Sequence, residues 1–161
     1  MNNKGSGGPM SASGFVRQKT LKTSIRCRGT ALHSGDRVAM TFQPAAPDTG
    51  IVFCRTDRGA SMRATWRGVR ESTLCTTLDD GDGLLVATVE HVMAALAGLA
   101  VDNCVIELDG PEVPVMDGSA APFVFLLECA GILEQDAPRR AIEVLKPVRV
   151  GDGAQSASLR P

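Results

Sequence analysis

No C-x-x-C pair, no glycine-rich nucleotide loop, no basic stripe and no long apolar run occurs in this chain, and histidine is down to two residues, His33 and His91. Each scarcity removes a class of function. The five cysteines, Cys27, Cys54, Cys75, Cys104 and Cys129, stand singly. An odd, scattered set reads as free thiols, not as a disulfide framework or a structural zinc site. The 17 basic and 18 acidic residues leave a formal net charge of -1 and are spread along the chain, so nucleic acid is not an expected partner. No stretch approaches the roughly 18 to 20 apolar residues that span a bilayer. The N-terminus lacks the charged-then-apolar pattern of a secretory signal, and a cytoplasmic location is expected.

What is present suits a single domain. With 161 residues, 43% of them apolar, one core can be built but not two. Met1 to Gly14 is rich in Gly, Ser and Asn, so a flexible tail is expected over residues 1–15, followed by a domain over 16–137. Alternation of polar and apolar residues predicts strands over Arg17–Arg28 and Arg37–Gln43, joined as a hairpin with a long loop. It predicts a third strand over Gly50–Thr56 and a short β piece at Met62–Trp66. Leu74–Leu78 and Leu84–Thr88 flank Asp79-Asp80-Gly81-Asp82-Gly83, a composition for a second hairpin turn. A helix follows from about Thr88 to Gly98, then a strand over Asp102–Leu108 and an extended loop from Pro111 to Met116. Asp117-Gly118-Ser119 supplies cap chemistry for a second helix that runs to Ala130 and stops at Gly131. A last strand is expected over Arg140–Val150. The class is α+β: a two-layer sandwich of a mainly antiparallel sheet with two helices on one face.

Both predicted helices are apolar around most of their circumference. Such a helix is buried on more than one side, and one sheet covers only one. Either the helices pack mainly on each other, or another domain or subunit adds a layer over them.

Chemistry concentrates at Thr88-Val89-Glu90-His91, where a carboxylate and an imidazole stand side by side at the head of the first helix. The pair is the material of metal ligation and proton transfer. Neighbouring helix residues diverge by about 100°, so His91 can face a metal while Glu90 faces a water beside it. Taken alone, such a pair also reads as a helix histidine satisfied by its neighbour. Its context is more specific. Gly29-x-x-Leu32-His33-Ser34-Gly35, Arg70-Glu71-Ser72-Thr73-Leu74-Cys75-Thr76, Thr88-Val89-Glu90-His91, Ala94-Ala95-Leu96-Ala97-Gly98-Leu99, Asp102-Asn103 and Met116-Asp117-Gly118-Ser119-Ala120-Ala121-Pro122-Phe123 occur in this order. Together they resemble the N-terminal half of the zinc-dependent UDP-3-O-acyl-N-acetylglucosamine deacetylases of lipid A biosynthesis, over roughly Gln18 to Pro161.

The resemblance implies a cytoplasmic amidase that removes the N-acetyl group from a UDP-linked, 3-O-acylated glucosamine and releases acetate. It assigns His91 as a zinc ligand and Glu90 as the general base on metal-bound water. Leu74 and Cys75 match residues that line the pocket near the metal, which sets Cys75 apart from the other thiols. His33 matches a family histidine, for which substrate contact and loop packing both remain open. Asp117 and Ser119 also match, but helix capping explains them.

The family's fold has two similar domains with helices between two sheets, so residues 138–161 correspond to the start of a second domain. Its other two zinc ligands, in an H-x-x-x-D helix of that domain, have no counterpart here; His33 is followed at the fourth position by Arg37, and His91 by Ala95. A four-ligand structural zinc site is worth ~10 to 16 kcal/mol, so a single ligand gives affinity of about millimolar or weaker. The chain alone is therefore expected to be inactive. A non-catalytic binding or dimerisation module, self-associating through its exposed helices, is the alternative.

Overall fold

The computed structural model describes residues 15–70, 72–152 and 155–161; apart from Phe15, the expected tail lies outside the described residues. In chain order, strands β1 (Arg17–Leu21), β2 (Ile25–Thr30), β3 (Arg37–Pro44), β4 (Ile51–Arg55) and β5 (Ala60–Arg63) come first. A 3-10 turn at Trp66–Gly68 leads to β6 (Val69–Arg70), β7 (Thr77–Asp79) and β8 (Leu85–Ala87). Helix α1 (Glu90–Gly98), strand β9 (Cys104–Leu108), helix α2 (Ala121–Ala130), strand β10 (Ile132–Pro138) and the strands β11 (Val148–Asp152) and β12 (Gln155–Leu159) follow. The class is α+β, as expected.

A five-stranded sheet in the order β2-β3-β9-β4-β5 forms the base. All its pairs are antiparallel except β4–β9, whose parallel pairing requires the long crossover that carries β6, β7, β8 and α1. Along β3, Val38, Met40 and Phe42 are buried and the residues between them are not, the period-two pattern of a sheet with one covered face. That face carries Phe42, Phe53, Ile106 and Leu108, and it shares one core with Val92, Ala95 and Leu96 of α1 and Phe123 and Leu127 of α2. The outward helix faces leave Ala94, Ala97 and Phe125 exposed, with Phe125 at 65%. Among the described residues, no helix is long and apolar enough to cross a membrane.

Local turn chemistry behaves as predicted in the second hairpin. Asp80 Oδ1 accepts the N–H groups of Asp82 and Leu84, each at 2.9 Å, and Gly81 and Gly83 take positive φ, closing the turn between β7 and β8. At the head of α2, Ser119 Oγ accepts the Ala121 N–H at 3.1 Å and donates to Asp117 Oδ1 at 2.8 Å. Gly131, at φ 73°, ends that helix.

Other boundaries differ from expectation. The Arg17–Arg28 run is two strands, broken at Lys22, whose N–H turns to the Gly131 carbonyl at 2.9 Å; only β2 joins the hairpin with β3. β1 pairs instead with β10, a strand that the sequence pattern did not reveal. Arg140–Val150 is not one strand: residues 139–147 are irregular, and β11 begins at Val148 and pairs with β12. Trp66 lies in the 3-10 turn beyond β5, and α1 begins at Glu90 because Thr88 takes a positive φ of 59° that a helix cannot continue. All five thiols are free; burial pushes those of Cys27 and Cys104 up to about 11 and about 12.

Candidate active site at the head of helix α1

Glu90 and His91 are the first two residues of α1, where an anionic side chain is favoured by the helix dipole. The segment before β7 braces them. Thr76 N–H donates to Glu90 Oε1, and the Thr76 carbonyl accepts the Val89 N–H at 3.4 Å. Burial alone pushes the Glu90 carboxyl up, but hydrogen bonds from its own N–H and from Thr76, with His91 beside it, hold it below its ordinary value of 4.5. It is an ionised proton acceptor at neutral pH.

The His91 ring is half-buried against Phe123, with ring centroids 5.1 Å apart. Its Nε2 lies 3.1 Å from the Pro114 carbonyl oxygen. A carbonyl can only accept, so Nε2 carries a proton, and in the neutral ring Nδ1 keeps the lone pair. Metal-binding histidines are commonly oriented in this way, through a carbonyl on the far nitrogen. One oriented nitrogen is not a metal site, however. Among the described residues, no three His, Cys, Asp or Glu side chains come together to hold an ion.

The remaining predicted residues fall nearby. Cys75 is half-buried next to Thr76, with Sγ 3.6 Å from Thr77 Oγ1. Leu74 is 89% exposed and has φ 70°; both residues precede β7 and are not in a strand. A largely apolar groove of about 290 Å³ opens beside Glu90, lined by Trp66, Val69, Leu78, Val89 and Met93 among others, but not by Leu74 or Cys75. His33 sits across from Thr88, with Nδ1 2.8 Å from Glu112 Oε1.

Tight packing supports the Pro114 carbonyl. A Cβ added at Gly29 would stand 2.8 Å from Pro114 Cβ and 3.0 Å from Met116 Sδ. Gly29→Ala is therefore expected to destabilise the chain by about 1 to 3 kcal/mol through overpacking and to loosen the His91 contact. Urea unfolding checks the first effect and the His91 ring resonances the second.

Residues 18–161 match the sequence profile of the UDP-3-O-acyl N-acetylglycosamine deacetylases. The chain belongs to this deacetylase family. Proteins named UDP-3-O-acyl-N-acetylglucosamine deacetylase are 51% identical in Actinobacillus succinogenes and 49% identical in Histophilus somni and Shewanella oneidensis, each over 149 residues. Each match covers 91% of this chain and 49% of the relative. The chain thus spans about half the length of the deacetylases it matches.

Within this member of the deacetylase family, several supporting groups escaped sequence reasoning: Thr76, Thr88, Glu112, Pro114 and Phe123. Glu112 left one faint signal, a charge placed immediately before the apolar run Val113-Pro114-Val115-Met116 and bracketed by Pro111 and Pro114. A lone carboxylate among residues that bury is a candidate for an internal network.

Proposed function

We propose that this chain provides the general base, Glu90, and one metal ligand, His91, of a zinc-dependent deacetylase. Its substrate is UDP-3-O-acyl-N-acetylglucosamine, and it acts in the cytoplasm, in lipid A biosynthesis. The observation that carries this reading is the pairing at the open end of α1. An ionised carboxylate is held by the Thr76 N–H, and the adjacent imidazole is fixed through Pro114 with Nδ1 free of its proton. Glu90 is placed to take a proton from an attacking water, and the hydrolysis yields acetate and a free amine. His91 is one ligand only; the resemblance assigns a further histidine and an aspartate to a second domain outside this chain. Zinc bound by all three would add Lewis acidity at the amide carbonyl. Leu74, Cys75 and His33 are proposed to border the substrate.

A second reading has its own support in the exposed Phe125, Ala94 and Ala97 face. On that reading the chain is a binding module that self-associates without catalysis. Measuring zinc content and acetate release separates the two, first on the purified chain and then after adding a polypeptide for the C-terminal half of a relative such as that of Actinobacillus succinogenes. The chain alone is expected to hold no stoichiometric zinc and to release no acetate, and the mixture to gain both. Turnover by the chain alone would overturn the half-site reading. A formed complex without zinc or turnover would leave the binding module.

A further inference from the structure

The most completely enclosed acid near the site is Glu112, at 3% exposure. Its carboxylate accepts the N–H of His33 at 3.0 Å, the N–H of Ser34 at 3.2 Å and the hydroxyl of Thr88 at 2.9 Å, and it faces His33 Nδ1 at 2.8 Å. An ionised group this deep requires such a set of donors. Burial penalises its charge, but the donors outweigh that penalty and hold its carboxyl below the usual value.

The segment around Glu112 reaches both histidines of the chain. The Ala87 N–H donates to the Pro111 carbonyl at 2.8 Å, and the Val113 N–H returns to the Ala87 carbonyl at 3.0 Å, fastening the segment to the end of β8. The Val115 N–H donates to the Thr30 carbonyl at 2.9 Å, fastening it to the end of β2. Between these ties, Glu112 meets His33 through its side chain, and Pro114 meets His91 through its backbone.

Thr88 adds the second observation. It is a buried, β-branched residue at φ 59°, a conformation such residues rarely adopt and one worth roughly 1 to 3 kcal/mol of strain. Its hydroxyl ends on Glu112, and Glu90 follows two residues later.

We propose that Glu112 is a positioning residue of the active site: it holds His33 with Nδ1 protonated and Nε2 as the lone-pair nitrogen, and it pins the left-handed Thr88 that aims Glu90 and His91. The catalytic consequence rests on the deacetylase reading, while the geometric one does not. The two histidines are then held in opposite tautomers by one segment, His33 by a side chain and His91 by a main-chain carbonyl.

With only two histidines in the chain, two-bond proton–nitrogen NMR at a pH where both rings are neutral reads each tautomer directly. The wild type is expected to show His33 protonated at Nδ1 and His91 at Nε2. In Glu112→Gln the amide offers one acceptor oxygen and adds two donors of its own, so the Nδ1-protonated fraction of His33 falls while His91 stays unchanged. Glu112→Asp, which keeps the charge, retains more of it. His33 protonated at Nε2 in the wild type overturns the proposal without any variant, as does a folded Glu112→Gln whose His33 tautomer is unaltered. In the enzyme complemented by the second half, Glu112→Gln is expected to lose at least about tenfold in kcat/KM at unchanged zinc content. An altered tautomer with unaltered kcat/KM overturns the catalytic consequence. Absence of turnover in the complemented wild type overturns the deacetylase reading and leaves the tautomer result to decide the positioning.

Discussion

Glu90→Gln is expected to lower turnover of the complemented enzyme by about 10² to 10⁴-fold, the range in which a positioned general base contributes. The substitution is nearly isosteric. A glutamine oxygen still accepts the Thr76 N–H that braces the head of α1, so the fold and the setting of His91 should survive. What disappears is the capacity to take a proton. The informative pattern is a fall in kcat with zinc content and melting temperature held at wild-type values. A loss of less than tenfold under those conditions would remove Glu90 from the role of base, and a loss accompanied by zinc depletion would mean that it supports the metal.

The second large effect concerns Phe123, which connects the core to the site. Its ring is fully buried, lies edge-on to Phe42 at 6.1 Å and tilts against His91 at 5.1 Å. Phe123→Ala removes the transfer free energy of the ring and leaves a void, about 3 to 5 kcal/mol in comparable cores. For a domain of this size that corresponds to roughly 6 to 20 °C in melting temperature. The same truncation at Phe125, two residues on and 65% exposed, should stay within about 0.5 kcal/mol. Calorimetry on the two variants tests the orientation of α2 directly; similar losses at both positions would contradict it. Phe123→Ala should also broaden the His91 ring signals, since one wall of its slot is gone.

Legibility followed sequence distance. The β2–β3 and β7–β8 hairpins, both helices and β9 could be read because their signals are local: alternation, the Asp-Gly turn, the Ser119 cap and the Gly131 stop. The partner of β1 could not be read. Alternation marks Arg17–Leu21 as a strand but is silent on which strand it joins, and Ile132–Pro138 carries Glu134, Gln135 and Asp136 in succession. A strand was expected over Arg140–Val150, yet within that stretch Ile142 and Leu145 stand 97% and 81% exposed in irregular chain. The site divides in the same way. Glu90 and His91 are adjacent and were visible as a pair. The carboxylate that holds His33 is 79 positions away from it and 24 from Thr88, a constellation that only the folded chain assembles. The left-handed backbone at Thr88 had no residue-type signal at all, because threonine is among the residues least suited to it.

The pairing of β1 with β10 also imposes an order on biosynthesis. Leu21 lies opposite Ile132, and Arg17 opposite Pro138, so β1 leaves the ribosome and waits for a strand made more than a hundred residues later. At elongation speeds of about 5 to 20 residues per second, that delay is roughly 5 to 20 seconds. Through that interval Leu21, fully buried in the finished fold, lacks its strand partner. A nascent chain stalled before β10 should therefore be a stronger chaperone client than one released just after it.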